Sequence, residues 1–172
     1  MAMSVGAMIP VEEYLRTSYS PDREYRDGVL VQRNVGEWVH AELQAALAAY
    51  FRRRRKEWNI AVCTELRIKV RERWYPIPDV CVYQQPAPQE RFPSRPPLLW
   101  IEILSERDQM MEMWSKARDV IAFGTSYVWI IDPTTLQSEV FTSSGGPHEV
   151  LDKTLRIPNT AIIVPLAEVM EE

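Results

Sequence analysis

Two carboxylates stand in segments that otherwise read as buried β-strand. Asp79 lies in Ile77-Pro78-Asp79-Val80-Cys81-Val82-Tyr83, and Glu102 interrupts Leu98-Leu99-Trp100-Ile101-Glu102-Ile103-Leu104. A short apolar run of the second kind suits a strand covered on both faces. An ionised acid inside it loses hydration and needs a cation, a hydrogen-bond network or a proton in compensation. Two such acids on neighbouring strands repel each other as well. An arginine partner would answer that cost for Glu102 alone. A divalent metal ion answers it for both acids at once, and it brings chemistry with it.

Lys116 joins them. It lies on the helical segment that follows the Glu102 strand, three residues past Met113 and four before Val120. That puts it at the edge of the apolar stripe, where a long side chain can reach back over the sheet. Taken alone, an i,i+4 pair with Glu112 explains it. Taken with Asp79 and Glu102, it completes the set a metal-dependent phosphodiesterase needs. Hard carboxylate oxygens hold Mg²⁺ or Mn²⁺, the metal polarises the phosphate and activates water, and an ammonium orients the nucleophile or offsets charge.

Glu65 enters through strand register. If residues 60–70 and 75–83 form an antiparallel hairpin turning about Glu72, Glu65 opposes Asp79 and Cys63 opposes Cys81. Directly opposed side chains share a face, with Cβ atoms about 5 Å apart. Glu65 is then a third acid at the metal site. A slip of one residue sends it to the other face. The first register pairs acid with acid and thiol with thiol, and is the one expected.

The elements that must carry these residues follow from periodicity. Residues 11–17 read as a short helix and 25–33 as a strand, with Asp27-Gly28 as a turn signal near its start. From 36 to 58 the pattern is helical, with Val39, Leu43, Ala46, Leu47 and Tyr50 on one stripe. Arg52-Arg53-Arg54-Arg55-Lys56 closes it, either as cations complementing the helix dipole or as a DNA contact. In the strand at 60–70, Arg67, Lys69 and Arg71 share one face, which is either a phosphate-binding stripe or a solvated one. A proline-rich loop, 84–97, joins the Asp79 strand to the Glu102 strand. Ser105 and Asp108 make an S-x-x-D start for a helix running to about Phe123, with Gly124 as its C-cap. Residues 126–131 form a buried strand, 138–142 and 149–157 short strands, and 165–170 a last helical turn. The order implies an α/β fold with an open mixed sheet, and the length fits one domain over residues 1–172.

Composition narrows the function classes. Hydrophobic residues make up 46% and charged residues 26%, as in ordinary soluble domains. The net charge of −4 offers nucleic acid no global attraction, so any such binding falls to a local basic patch. The only cysteines, Cys63 and Cys81, sit in apolar strand-like segments and are expected to be reduced core residues. Two histidines and no C-x-x-C argue against a zinc site. The first residues lack the basic stretch of a signal peptide, and no apolar run reaches transmembrane length, so a soluble cytoplasmic protein with no membrane partner is expected.

Several segments, in order, resemble the Uma-two family of endonuclease domains in the PD-(D/E)xK superfamily. They are Glu24-Tyr25-Arg26-Asp27-Gly28-Val29-Leu30, Pro78-Asp79-Val80, Ile101-Glu102-Ile103-Leu104-Ser105, Lys116, and the stretch from Gly124 to Asp132-Pro133. The resemblance runs over about residues 11–169. It implies the restriction-endonuclease-like fold, a mixed central sheet flanked by helices, with DNA phosphodiester hydrolysis as the ancestral activity. It also implies metal binding by Asp79 and Glu102. Leu104 occupies the place two residues after Glu102 where the superfamily motif has its lysine, and Lys116 on the next helix matches the migrated lysine of this family. The leading expectation is thus an Mg²⁺- or Mn²⁺-dependent endonuclease acting on DNA, with a homodimer as the superfamily's usual way of cutting both strands. The competing readings are a non-catalytic nucleic-acid-binding or assembly protein on the same fold, and a metal-dependent hydrolase of another phosphate ester.

Overall fold

The computed structural model describes residues 8–33 and 37–171. In chain order the elements are α1 (Val11–Arg16), β1 (Arg23–Arg26), β2 (Val29–Gln32), α2 (Trp38–Arg54), β3 (Ile60–Thr64), β4 (Trp74–Tyr75) and β5 (Val80–Gln84). There follow β6 (Leu99–Ile103), α3 (Met110–Phe123), β7 (Tyr127–Ile131), β8 (Ser138–Thr142), β9 (Gly145–Val150), β10 (Thr154–Arg156), β11 (Ile163–Pro165) and α4 (Leu166–Glu171).

The central sheet has six strands in the order β3-β5-β6-β7-β8-β9. Only β6 and β7 run parallel, and α3 is the crossover that a parallel pair requires. Alternation along β5 and β6 divides the core. Val80, Val82, Leu99, Ile101 and Ile103 pack with Leu43, Leu47 and Phe51 of α2 and Leu166 and Val169 of α4. Cys81, Tyr83 and Trp100 turn to the opposite face and meet Ala117 and Val120 of α3. This is the mixed sheet flanked by helices that the sequence implies. A second sheet, β2-β1-β4, covers one end of it. None of the helices among the described residues is long and apolar enough to cross a membrane.

Several elements differ from expectation. The strand expected at 25–33 is two strands, because Asp27 (φ 51°) and Gly28 (φ 95°) make a two-residue hairpin turn with both residues left-handed. The start expected for the second helix at residue 36 lies outside the described residues, and Val39 is exposed rather than on the core stripe. The strand expected at 60–70 stops at Thr64. Glu65 takes φ 54°, and the facing segment carries Pro76 and Pro78, which have no N–H to give a ladder. The expected register nonetheless holds: Cys63 pairs with Cys81, and Ile68 N–H still reaches Pro76 O at 3.1 Å.

Arg67, Lys69 and Arg71 lie outside a strand, so they do not share a strand face as expected. Each is paired within the chain, to Asp22, Glu72 and Asp27. Ser105 N–H and Oγ do bond Asp108 Oδ2, but as a turn ahead of the helix, whose N-cap is Gln109. Gly124 caps α3 as expected, at φ 118° with its N–H on the Ile121 and Val120 carbonyls.

Candidate active site

The site begins with a register. Val80 pairs with Ile101 across β5 and β6, so the next step of the same ladder sets Asp79 opposite Glu102. Asp79 shares the parity of Cys81 and Glu102 that of Trp100, the two residues that face α3. The Ile103 N–H donates to Asp79 Oδ2 at 2.7 Å, which ties the first acid to the strand of the second. Both carboxylates are buried, and both line one cleft of about 320 Å³ that also takes in Glu24 and Lys116.

Lys116 arrives from α3. Its Nζ donates at 2.7 Å to Oε1 of Glu102 and at 2.7 Å to Oε1 of Glu24. It therefore does not make the surface pair with Glu112 that its spacing allows. Glu24 is buried on β1, and its Oε1 also accepts the Ile77 N–H at 3.0 Å, so the hairpin is pinned over the end of the sheet. Trp100 Nε1 donates to Glu102 Oε1 at 2.6 Å.

Asp79 has cations of its own. Arg33 Nη2 donates to its Oδ1 at 2.9 Å, and His40 Nε2 lies 3.3 Å from its Oδ2. Arg33 also pairs with Glu65, whose Oε1 accepts from Gln44 Nε2 at 2.6 Å. Glu65 is thus one guanidinium away from Asp79, half-exposed and outside the cleft lining. The register itself is kept, since the Glu65 N–H donates to the Asp79 carbonyl at 3.3 Å, but strand β3 ends at Thr64 and Glu65 takes a left-handed backbone.

The charges are strongly coupled. Burial first of all, with Asp79 and Glu24 adding to it and Lys116 opposing, raises the Glu102 carboxyl to about 7. For Lys116, burial pulls down, but Glu102 and Glu24 outweigh it and hold the ammonium above its ordinary value. His40 is raised, first by its bond to Asp79.

The donor set fits a hard divalent cation. Among the described residues Glu102 Oε2 takes no hydrogen bond, and the raised Glu102 carboxyl marks a place short of positive charge. No three His, Cys, Asp or Glu side chains among the described residues gather as a closed cage. Mg²⁺ needs none, since it commonly binds one or two carboxylates and keeps several waters.

Sequence reading missed Glu24, Arg33 and His40. Glu24 sits among charged residues in Arg23-Glu24-Tyr25-Arg26, and nothing local marks it as buried. Arg33 ends a hairpin, and His40 lies on a helix whose nearest apolar stripe it does not join.

Comparison with known proteins agrees with this fold. A crystal structure described as that of a putative nuclease belonging to DUF820, from Anabaena variabilis ATCC 29413, superposes with a TM-score of 0.81. It is 19% identical, over 95% of this chain and 98% of that one, and at that identity the likeness speaks for the fold. No curated protein matches the chain. The family described as "Uma2: Putative restriction endonuclease" matches residues 11–167, nearly the whole sequence. The chain belongs to the Uma2 (Uma-two) family.

Proposed function

We propose that this protein is a metal-dependent nuclease that hydrolyses DNA phosphodiester bonds in the cytoplasm, using Asp79 and Glu102 to hold Mg²⁺ or Mn²⁺. One observation carries the reading: two buried acids, opposed across neighbouring strands, open into one cleft with a half-buried lysine between Glu102 and Glu24. When bound there, the ion supplies Lewis-acid polarisation of the phosphate and a water activated at neutral pH.

The chain's own residues do the rest. Lys116 is held charged by two carboxylates, so it serves as a fixed positive group beside the reacting phosphate and not as a general base. Arg33 and Arg107 line the cleft and suit the phosphates on either side. Glu24 holds Lys116 from behind and keeps it from collapsing wholly onto Glu102. Glu65 acts from the rim, by fixing Arg33 against Asp79. A homodimer sets two such clefts against the two strands of a duplex.

One observation favours the alternative of a non-catalytic nucleic-acid-binding protein on this fold. Arg33 and His40 both sit on Asp79, as they would where internal cations have replaced a metal. A substrate screen with Mg²⁺ or Mn²⁺ separates the readings. Hydrolysis of labelled duplex DNA with no turnover of phosphate monoesters is expected. Turnover of monoesters alone identifies a different phosphate-ester hydrolase, and DNA retention without cleavage identifies the non-catalytic protein.

A further inference from the structure

The loop between β6 and α3 sorts charge by side. Its Ser105 and Asp108 line both the cleft and a second cavity of about 920 Å³ next to it. Between those two residues, Arg107 lines the cleft and Glu106 lines the second cavity. Helix α2 is shared in the same way, with His40 on the cleft and Trp38, its first residue, on the cavity. The two spaces adjoin and differ in chemistry.

The second cavity has room for a nucleoside. Trp38, Val39, Met110 and Pro133 give it flat or apolar wall. Trp38 is 80% exposed, so its ring is open to a stacking partner. Glu37, Glu106, Asp108, Asp132, Glu139 and Glu149 also line it, with no lysine or arginine among the described residues that do so. Glu139 and Glu149 are directly opposed across β8 and β9, a like-charge pair that a hydrogen-bond donor set between them would relieve.

A phosphate suits the cleft, where Arg33, Arg107 and Lys116 stand, and is repelled by the acidic cavity. The part of a nucleotide that suits the cavity is its base, which is flat and uncharged and stacks on an aromatic ring. Cytosine, adenine and guanine also carry an exocyclic amine that a carboxylate can accept, and thymine does not. Bases inside a duplex are stacked and paired away from such a wall. The occupant is therefore unpaired, in a single strand or turned out of the helix.

We infer that this cavity takes the unpaired base of a nucleotide adjoining the scissile phosphate, stacked on Trp38, with amine-bearing bases preferred to thymine. This deepens the nuclease reading above and rests on it. Anisotropy of labelled oligo-dC and oligo-dT, with Ca²⁺ in place of Mg²⁺, reads binding apart from cleavage. Wild type should bind oligo-dC about tenfold more tightly than oligo-dT. Trp38→Ala should weaken oligo-dC binding about tenfold, and Trp38→Phe should keep most of it. With Mg²⁺ or Mn²⁺, wild type should cut a duplex carrying one unpaired cytosine beside that base, and Trp38→Ala should lose this focus. Equal affinity for the two homopolymers, or Trp38→Ala binding like wild type, overturns the inference. A Trp38-dependent hold on an arginine-rich peptide, with no such selectivity among oligonucleotides, also overturns it and marks a site for a basic protein segment. Selective binding without cleavage would overturn the chemistry alone, and cleavage indifferent to base and to Trp38 would overturn the base site alone.

Discussion

Glu102 carries the clearest consequence at the scale of the residue. Its carboxyl is raised from about 4.5 to about 7, chiefly by burial, with Asp79 and Glu24 adding to the rise. The folded chain therefore keeps a proton that the unfolded chain has released. Its contribution to metal-free stability is then fully present below about 4.5 and is lost as pH climbs to about 7, by at most on the order of 3 kcal/mol. Thermal unfolding across that window should show this slope in wild type and a flatter one in Glu102→Gln. Equal slopes would contradict the assignment. Lys116 carries a second prediction. Its ammonium acts on the reacting phosphate, so Lys116→Ala should cut turnover about 10²- to 10³-fold while metal affinity changes far less; steady-state rates beside calorimetric titration of Mn²⁺ check both. The two acids were legible in the sequence because a charge in an apolar run conflicts with its surroundings. Lys116 was legible only beside the two acids, since its place at a stripe's edge fits a pair with Glu112 equally well. Glu24 was not, since only the docking of β1 onto the sheet end buries it.

At the scale of the element, long apolar periodicities were read well and interruptions poorly. β5, β6, β7 and α3 carry their own signal, and the Cys63–Cys81 register followed from placing the turn. The strand expected to run to residue 70 stops before Glu65, where the backbone turns left-handed and Pro76 and Pro78 opposite have no N–H to donate. The Glu65 and Ile68 amides still reach the Asp79 and Pro76 carbonyls. The strand expected from residue 149 begins at Gly145 as β9; its Gly-Gly-Pro start is tolerated because β9 ends the sheet among the described residues. Gly124 shows how tightly one terminus is set. It is left-handed at φ 118°, and a Cβ there would lie 3.0 Å from Pro96 Cγ in the loop that feeds β6. Gly124→Ala should therefore cost about 1–2 kcal/mol, read as a lower urea midpoint with unchanged cooperativity. An unshifted midpoint would mean that α3 can end another way.

At the scale of the whole molecule, the six-stranded sheet gathers at one end what the chain spreads over 93 positions, from Glu24 on a hairpin to Lys116 on the crossover helix. Sequence spacing cannot show such a gathering; strand order and the second sheet create it. The net charge of −4 offers DNA no global attraction, and the cleft itself holds Arg33, Arg107 and Lys116. Cleavage of supercoiled plasmid with Mg²⁺ or Mn²⁺ reports most directly on whether that cleft is a nuclease centre. Wild type should convert the plasmid to nicked or linear form, a chelator should stop it, and Asp79→Ala should leave the plasmid intact. Cleavage by Asp79→Ala at the wild-type rate, or none by wild type with either metal, would contradict the account.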